Sequence, residues 1–145
     1  MLITKEIEID AGHRVPSHKG KCKNLHGHRY KIEVGVDDKV ISTPGSSKEG
    51  MVIDFGDLKI ILLEEIDAIY DHSFIVYEND EFIDFFNKIL IEKGQKINIV
   101  SFIPTAENLA KHWYELLKEA LEDVSIKIHH VKVYETPTSS ATYQE

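Results

Sequence analysis

Strand side chains alternate, so imidazoles two residues apart on an extended segment project to the same side. His26 and His28 are so spaced, and they share parity with Tyr30, Ile32, Val34 and Val36, an alternating apolar row that marks a core face. His13 shares parity with Ile7, Ile9 and Ala11 on an earlier alternating segment. If the two segments pair as a hairpin, three imidazoles emerge on one face, the ligand set of an open tetrahedral zinc site whose fourth position is left to water or substrate. Gly27 leaves room between the two histidines that share a strand. Cys22, four residues before His26, keeps a second possibility open, since as a fourth ligand it would close the site into a structural, non-enzymatic zinc module. Flanked by Lys21 and Lys23, it is also placed to act as a nucleophile or general base.

Further groups bear on chemistry. Asp71 and His72 put a carboxylate beside an imidazole, a pair able to orient a ring or relay a proton. Glu135 follows Val131 and Val133 at the same parity, which puts a carboxylate at the end of an apolar face, where it needs a partner. That partner is a lysine across the sheet or the amidine-like edge of a ligand such as a pterin or guanine, which presents two parallel N–H donors. His112, His129 and His130 read as ordinary hydrogen-bonded residues, and His18 has no assignment.

The chain has 145 residues, one cysteine, eight histidines and a formal net charge of -8. One cysteine excludes an internal disulfide and fits a reducing cytoplasm. The acidic balance argues against a generic nucleic-acid binder. Yet Ala11 to Ile32 contains no acid, while Arg14, Lys19, Lys21, Lys23, Arg29 and Lys31 all fall within it, together with His13, His18, His26, His28 and Cys22. A site handling a polyanion beside a metal has this composition. No apolar run suits a signal peptide or a membrane span, and no repeat is present.

The elements that must position these groups follow from periodicity. Met1 to Asp10 and Tyr30 to Asp37 alternate as strands, and Ser42 to Ser47 is a turn cluster leading to a short strand at Met51 to Ile53. Asp54 or Asp57 caps a helix to about Ile69, and a second helix spans Asp80 to Glu92, ended by Gly94. The best-patterned helix runs from Ala106 to Leu121 with Thr105 as a capping hydroxyl, and Lys127 to Glu135 is a last strand, broken at Pro137. Strands and helices in this order predict one α+β domain over 1–145, an antiparallel sheet covered on one side.

Cys22-Lys-Asn-Leu-His26-Gly-His28, Gly50-Met-Val-Ile-Asp54-Phe-Gly-Asp57-Leu, Asp71-His72, Pro104-Thr-Ala-Glu107-Asn108 and Glu135-Thr-Pro-Thr-Ser-Ser-Ala141 together resemble the 6-pyruvoyl-tetrahydropterin synthase family, over nearly the whole chain. The Cys-x3-His-Gly-His spacing is most similar to the bacterial 6-carboxytetrahydropterin synthase branch of queuosine biosynthesis. The resemblance implies a T-fold with a four-stranded antiparallel sheet, assembled into trimers and hexamers with active sites at subunit boundaries. It implies Zn2+ on His13, His26 and His28, Cys22 as catalytic base with Asp71 and His72 as its relay, and Glu135, Glu107 and Thr105 as substrate-binding residues. The implied substrate is a pterin triphosphate, whose polyanionic end would account for the basic segment. Ile9 and Ile103 depart from the family pattern, which usually has an aromatic residue and an asparagine there.

A cupin reading of Gly20-x5-His26-x-His28-x4-Glu33 fails on parity, because Glu33 faces away from both histidines, and the helical second half is wrong for a jelly roll.

Overall fold

The computed structural model describes residues 1–145. Strand β1 (Leu2–His13) and strand β2 (His26–Asp37) pair antiparallel along their whole length, with Ile7 opposite Ile32, Ile9 opposite Tyr30 and Ala11 opposite His28. The apolar row of each strand turns to the same face, because a slip of one residue would put every one of these side chains in water. Both strands continue further than their apolar rows predict, and the extension carries the histidines: His13 ends β1 directly opposite His26, which begins β2.

Six strands form one sheet in the order β4-β3-β1-β2-β5-β6, with β3 at Ser73–Tyr77, β4 at Ile97–Val100, β5 at Ile128–Thr136 and β6 at Ser139–Tyr143. This corrects the expected four-stranded antiparallel sheet. β3 pairs parallel to β1 and β4 pairs parallel to β3, so the sheet is mixed. β3 and β4 escape the alternation test because they are short; Ile75 and Val76, adjacent in β3, are both fully buried. β6 arises because Pro137 lies in the turn of a β5–β6 hairpin instead of ending the sheet. The expected strand at Met51–Ile53 is absent; Val52 and Ile53 are nonetheless buried, as an irregular segment packed on the core.

Helix α4 (Ala106–Glu122) lays Leu109, Ala110, Trp113, Leu117 and Leu121 against the apolar rows of β2 and β5. Its amphipathic stripe is the strongest in the chain, and its first turn is capped by Thr105, whose hydroxyl accepts from the Asn108 N–H. Asp54 caps α1 (Phe55–Leu62) by accepting from the Gly56 N–H. The single helix expected to Ile69 is instead interrupted: α1 passes through a π turn at Leu63–Asp67 into the short α2 (Ala68–Tyr70). Helix α3 (Ile83–Lys93) ends at Gly94, which takes the left-handed conformation at φ 61. Of its aromatic residues only Phe86 is buried, stacked on Phe74 at 4.9 Å, while Phe82 and Phe85 stay exposed.

Candidate metal centre

The β1–β2 register alone brings the three predicted imidazoles together. The ring nitrogens available from His13, His26 and His28 lie within 4.8 Å of one another. Two glycines permit the close pairing beneath them. A Cβ on Gly12 would fall 2.4 Å from the Phe74 ring, and one on Gly27 would fall 2.9 Å from the Ala11 carbonyl. Gly27 is therefore needed against the backbone of β1, not to separate His26 from His28.

His13 is 1% exposed. Its Nδ1–H donates to the Pro104 carbonyl at 2.6 Å, and His26 Nδ1–H donates to the Asn24 carbonyl at 2.7 Å. A carbonyl can only accept, so each Nδ1 carries the proton and each Nε2 presents a lone pair. Those two Nε2 atoms face each other at 3.1 Å. His28 Nε2 is buried without a hydrogen-bond partner, 3.6 Å from a Glu135 carboxylate oxygen. Burial, opposed by the Pro104 carbonyl, holds the His13 pKa below its ordinary value, and burial does the same to His28. The two lone pairs on His13 and His26, converging with the unpartnered His28 nitrogen, form a donor set that a cation would satisfy.

The centre borders a cavity of about 250 Å³, lined by His13, His18, Cys22, Thr105, Glu107 and Glu135, with Ser139 and Ser140 closing one side. Glu135 lines it from the end of β5, at an irregularity in the β5–β6 pairing between Tyr134 and Thr136. Thr105 and Glu107 arrive at the head of α4, joined to the centre through the Pro104–His13 hydrogen bond. Cys22 sits half-buried in a short 3-10 turn (Lys21–Lys23) and lines the same cavity as His13, but it is not one of the group around the ion position. The closed site of one cysteine and three histidines is therefore not formed.

Asp71 and His72 lie elsewhere. The Asp71 carboxylate accepts from the Asp10 backbone N–H at 2.9 Å and from His72 Nδ1 at 2.7 Å. The Asp10 N–H is the main reason that its pKa lies below the usual carboxylate value. His72, at φ 55, turns its ring to solvent. The two form a pair, but they do not line the Cys22 cavity of the same chain.

The basic segment is less available than its composition implies. Arg14 is buried, 3.3 Å from Asp80 and 2.8 Å from Glu81, with its guanidinium 4.3 Å from the Phe82 ring centre. Arg29 grips Asp10 with two hydrogen bonds, and Lys31 pairs with Glu6 at 3.3 Å. Lys19, Lys21 and Lys23, on the Cys22 loop, form no ion pair. Ser139 and Ser140 belong to the Glu135–Ala141 motif but are given no role by it, and the folding back of β6 brings them to the cavity.

Fold and site define the class: a T-fold protein in which one sheet, helices on one face, sets three imidazoles beside a cysteine. A family model, 6-pyruvoyl tetrahydropterin synthase, matches residues 2–145. A 6-carboxy-5,6,7,8-tetrahydropterin synthase from Haemophilus influenzae is 37% identical over 143 residues, covering 99% of this chain and 98% of that protein. One of the same name from Rickettsia bellii is 38% identical over 135 residues, covering 92% and 93%. Among solved structures, an uncharacterised protein from Wolinella succinogenes superimposes with TM-score 0.81 at 27% identity, covering 100% of this chain and 98% of that one. Caenorhabditis elegans 6-pyruvoyl tetrahydropterin synthase gives 0.71 at 27% identity, covering 100% and 95%. The chain belongs to the 6-pyruvoyl tetrahydropterin synthase family, and it is an enzyme.

Proposed function

We propose that this enzyme is a zinc-dependent 6-carboxy-5,6,7,8-tetrahydropterin synthase, a lyase that converts 7,8-dihydroneopterin triphosphate and water to 6-carboxy-5,6,7,8-tetrahydropterin, acetaldehyde and triphosphate, as a cytoplasmic step toward queuosine. The observation that carries the reading is the set of three converging imidazole nitrogens next to a cavity that also holds Cys22 and Glu135. The names of the curated relatives favour the carboxy product over the pyruvoyl one.

His13, His26 and His28 would hold the zinc, which supplies Lewis acidity toward the oxygens of the substrate side chain when bound. The protein's own groups do the rest. The Glu135 carboxylate accepts two parallel N–H bonds from the pterin edge and so fixes the ring. Thr105 has its oxygen occupied by the Asn108 N–H, which leaves its O–H free to donate into the cavity. Glu107, in the first turn of α4, adds a second acceptor. Cys22 Sγ takes the proton from the side-chain carbon, and the Asp71–His72 pair relays it. That relay requires a neighbouring subunit, since within one chain the pair stands apart from Cys22. A trimeric or hexameric assembly with shared sites follows, and light scattering that finds only monomer would overturn it. No helix is long and apolar enough to cross a membrane.

The decisive test is incubation of the zinc-loaded protein with 7,8-dihydroneopterin triphosphate and identification of the product by mass. The carboxy compound with acetaldehyde is expected; a 6-pyruvoyl product, or unchanged substrate, would overturn the reading.

A further inference from the structure

His18 takes no part in the metal set and is used by nothing described so far. Resting on the pterin-triphosphate reading above, we propose that His18 is a substrate-contacting residue, which donates its Nε2–H to a phosphate oxygen at the polyanionic end of the substrate.

The loop that carries it is closed on itself. The Val15 N–H donates to the Cys22 carbonyl at 2.8 Å, so the two ends of the segment are tied, and the His18 N–H returns to the Val15 carbonyl at 3.3 Å. Ser17 makes that turn in the left-handed region, at φ 67, where a non-glycine residue carries strain. His18 is thereby carried into the same cavity as Cys22, Glu107 and Glu135.

The ring is held in one tautomer. The Gly20 backbone N–H donates to His18 Nδ1 at 2.8 Å. A nitrogen that accepts this bond has no proton, so the proton sits on Nε2, and Nε2–H is the polar group left for the cavity. A Cβ at position 20 would lie 2.9 Å from the exposed His18 ring, which would then have to turn aside. Apart from His13, whose Nε2 faces the metal position, His18 is the one cavity-lining residue with a side-chain N–H.

The cavity therefore offers both kinds of partner. Glu107 and Glu135 supply carboxylate acceptors and His18 supplies a ring donor. His18 lies on the same loop as Lys19, Lys21 and Lys23, the members of the basic segment not tied into ion pairs. A ligand with a donor edge and a polyanionic end finds an acceptor for the first in the carboxylates and a donor for the second in His18. Arg14 cannot serve in this way, being buried against Asp80 and Glu81, and Arg29 and Lys31 line a different cavity, on the side of His28 and Glu135.

Two substitutions separate this role from a structural one. His18→Asn keeps an acceptor for the Gly20 N–H and removes the distal donor; His18→Gln keeps a distal N–H. In the zinc-loaded full-length protein, inorganic triphosphate is the probe, through its dissociation constant by calorimetry and its competitive inhibition of turnover. The expectation is that His18→Asn weakens triphosphate binding about tenfold, the worth of a hydrogen bond to a charged group, with the loss in turnover concentrated in KM. His18→Gln should recover most of it, and zinc content should match the parent in both. Unchanged triphosphate affinity in His18→Asn, equal loss in the two variants, or loss of zinc would each overturn the proposal. If the parent protein fails to turn over the pterin triphosphate, the functional reading falls by itself, while calorimetry still decides whether His18 meets a phosphate.

Discussion

Two groups of histidines share this sheet, toward opposite ends of β2, and they differ in what their ring nitrogens have left to give. In the pair on β5, His129 Nδ1 meets His130 Nδ1 at 2.9 Å, and His130 Nε2 meets the Glu33 carboxylate at 3.1 Å. Every nitrogen of His130 therefore has a partner. In the other group, His13 and His26 commit Nδ1 to main-chain carbonyls, and the remaining nitrogens, with that of His28, converge on each other. Both groups contain imidazoles in close contact, at ring separations near 5 Å. What distinguishes the two groups is thus the hydrogen-bond inventory, and only the first gathers three unpaired ring nitrogens where a cation could sit.

The largest effect that would break this distinction comes from the ligands themselves. Single substitutions His13→Ala, His26→Ala and His28→Ala should each remove bound zinc and abolish turnover; full zinc retention in elemental analysis of any of them would remove that residue from the set. Next, Cys22→Ala should lower kcat by about 10²–10⁴-fold, the range for a lost general base, while zinc content stays that of the parent. Zinc lost together with Cys22 would instead return the closed four-ligand site.

A stability effect follows in size. Arg14 adjoins His13 and pairs with an Asp80 side chain that is 0% exposed. Arg14→Met leaves that carboxylate buried without its cation and should cost about 3–5 kcal/mol in urea denaturation. The smallest effect belongs to the second histidine group: His130→Ala should cost about 1 kcal/mol, leaving zinc content and turnover at the parent values. A fall in zinc there would erase the contrast between the two groups.

How much of this was legible beforehand can be seen residue by residue. His26, His28 and His13 were readable as a set because strand parity is a local rule, and the amphipathic stripe of α4 was readable for the same reason. Parity puts the Glu135 carboxylate at the end of the apolar face, but the structure sets it 3.6 Å from His28 Nε2, with no lysine across the sheet paired to it. The basic segment was misread in part. Composition counts Arg14 as a cation available for a phosphate, but Asp80 and Glu81, more than sixty residues away, already hold it. β3 and β4 were not legible at all, since short strands inside a mixed sheet owe their state to neighbours in space.

The sequence by itself determined the periodic elements, the face on which each histidine falls and the identity of the chemical groups, because side-chain direction along a strand or helix depends only on position within it. Tertiary structure alone decided which groups act together. The register of β1 on β2 sets three imidazoles around one point, and the Pro104 and Asn24 carbonyls choose which nitrogens remain free. The folding of loops and strands selects which charges are already neutralised and which still face the cavity. These are contacts between residues far apart in the chain, and their distances follow from packing, which no local pattern encodes.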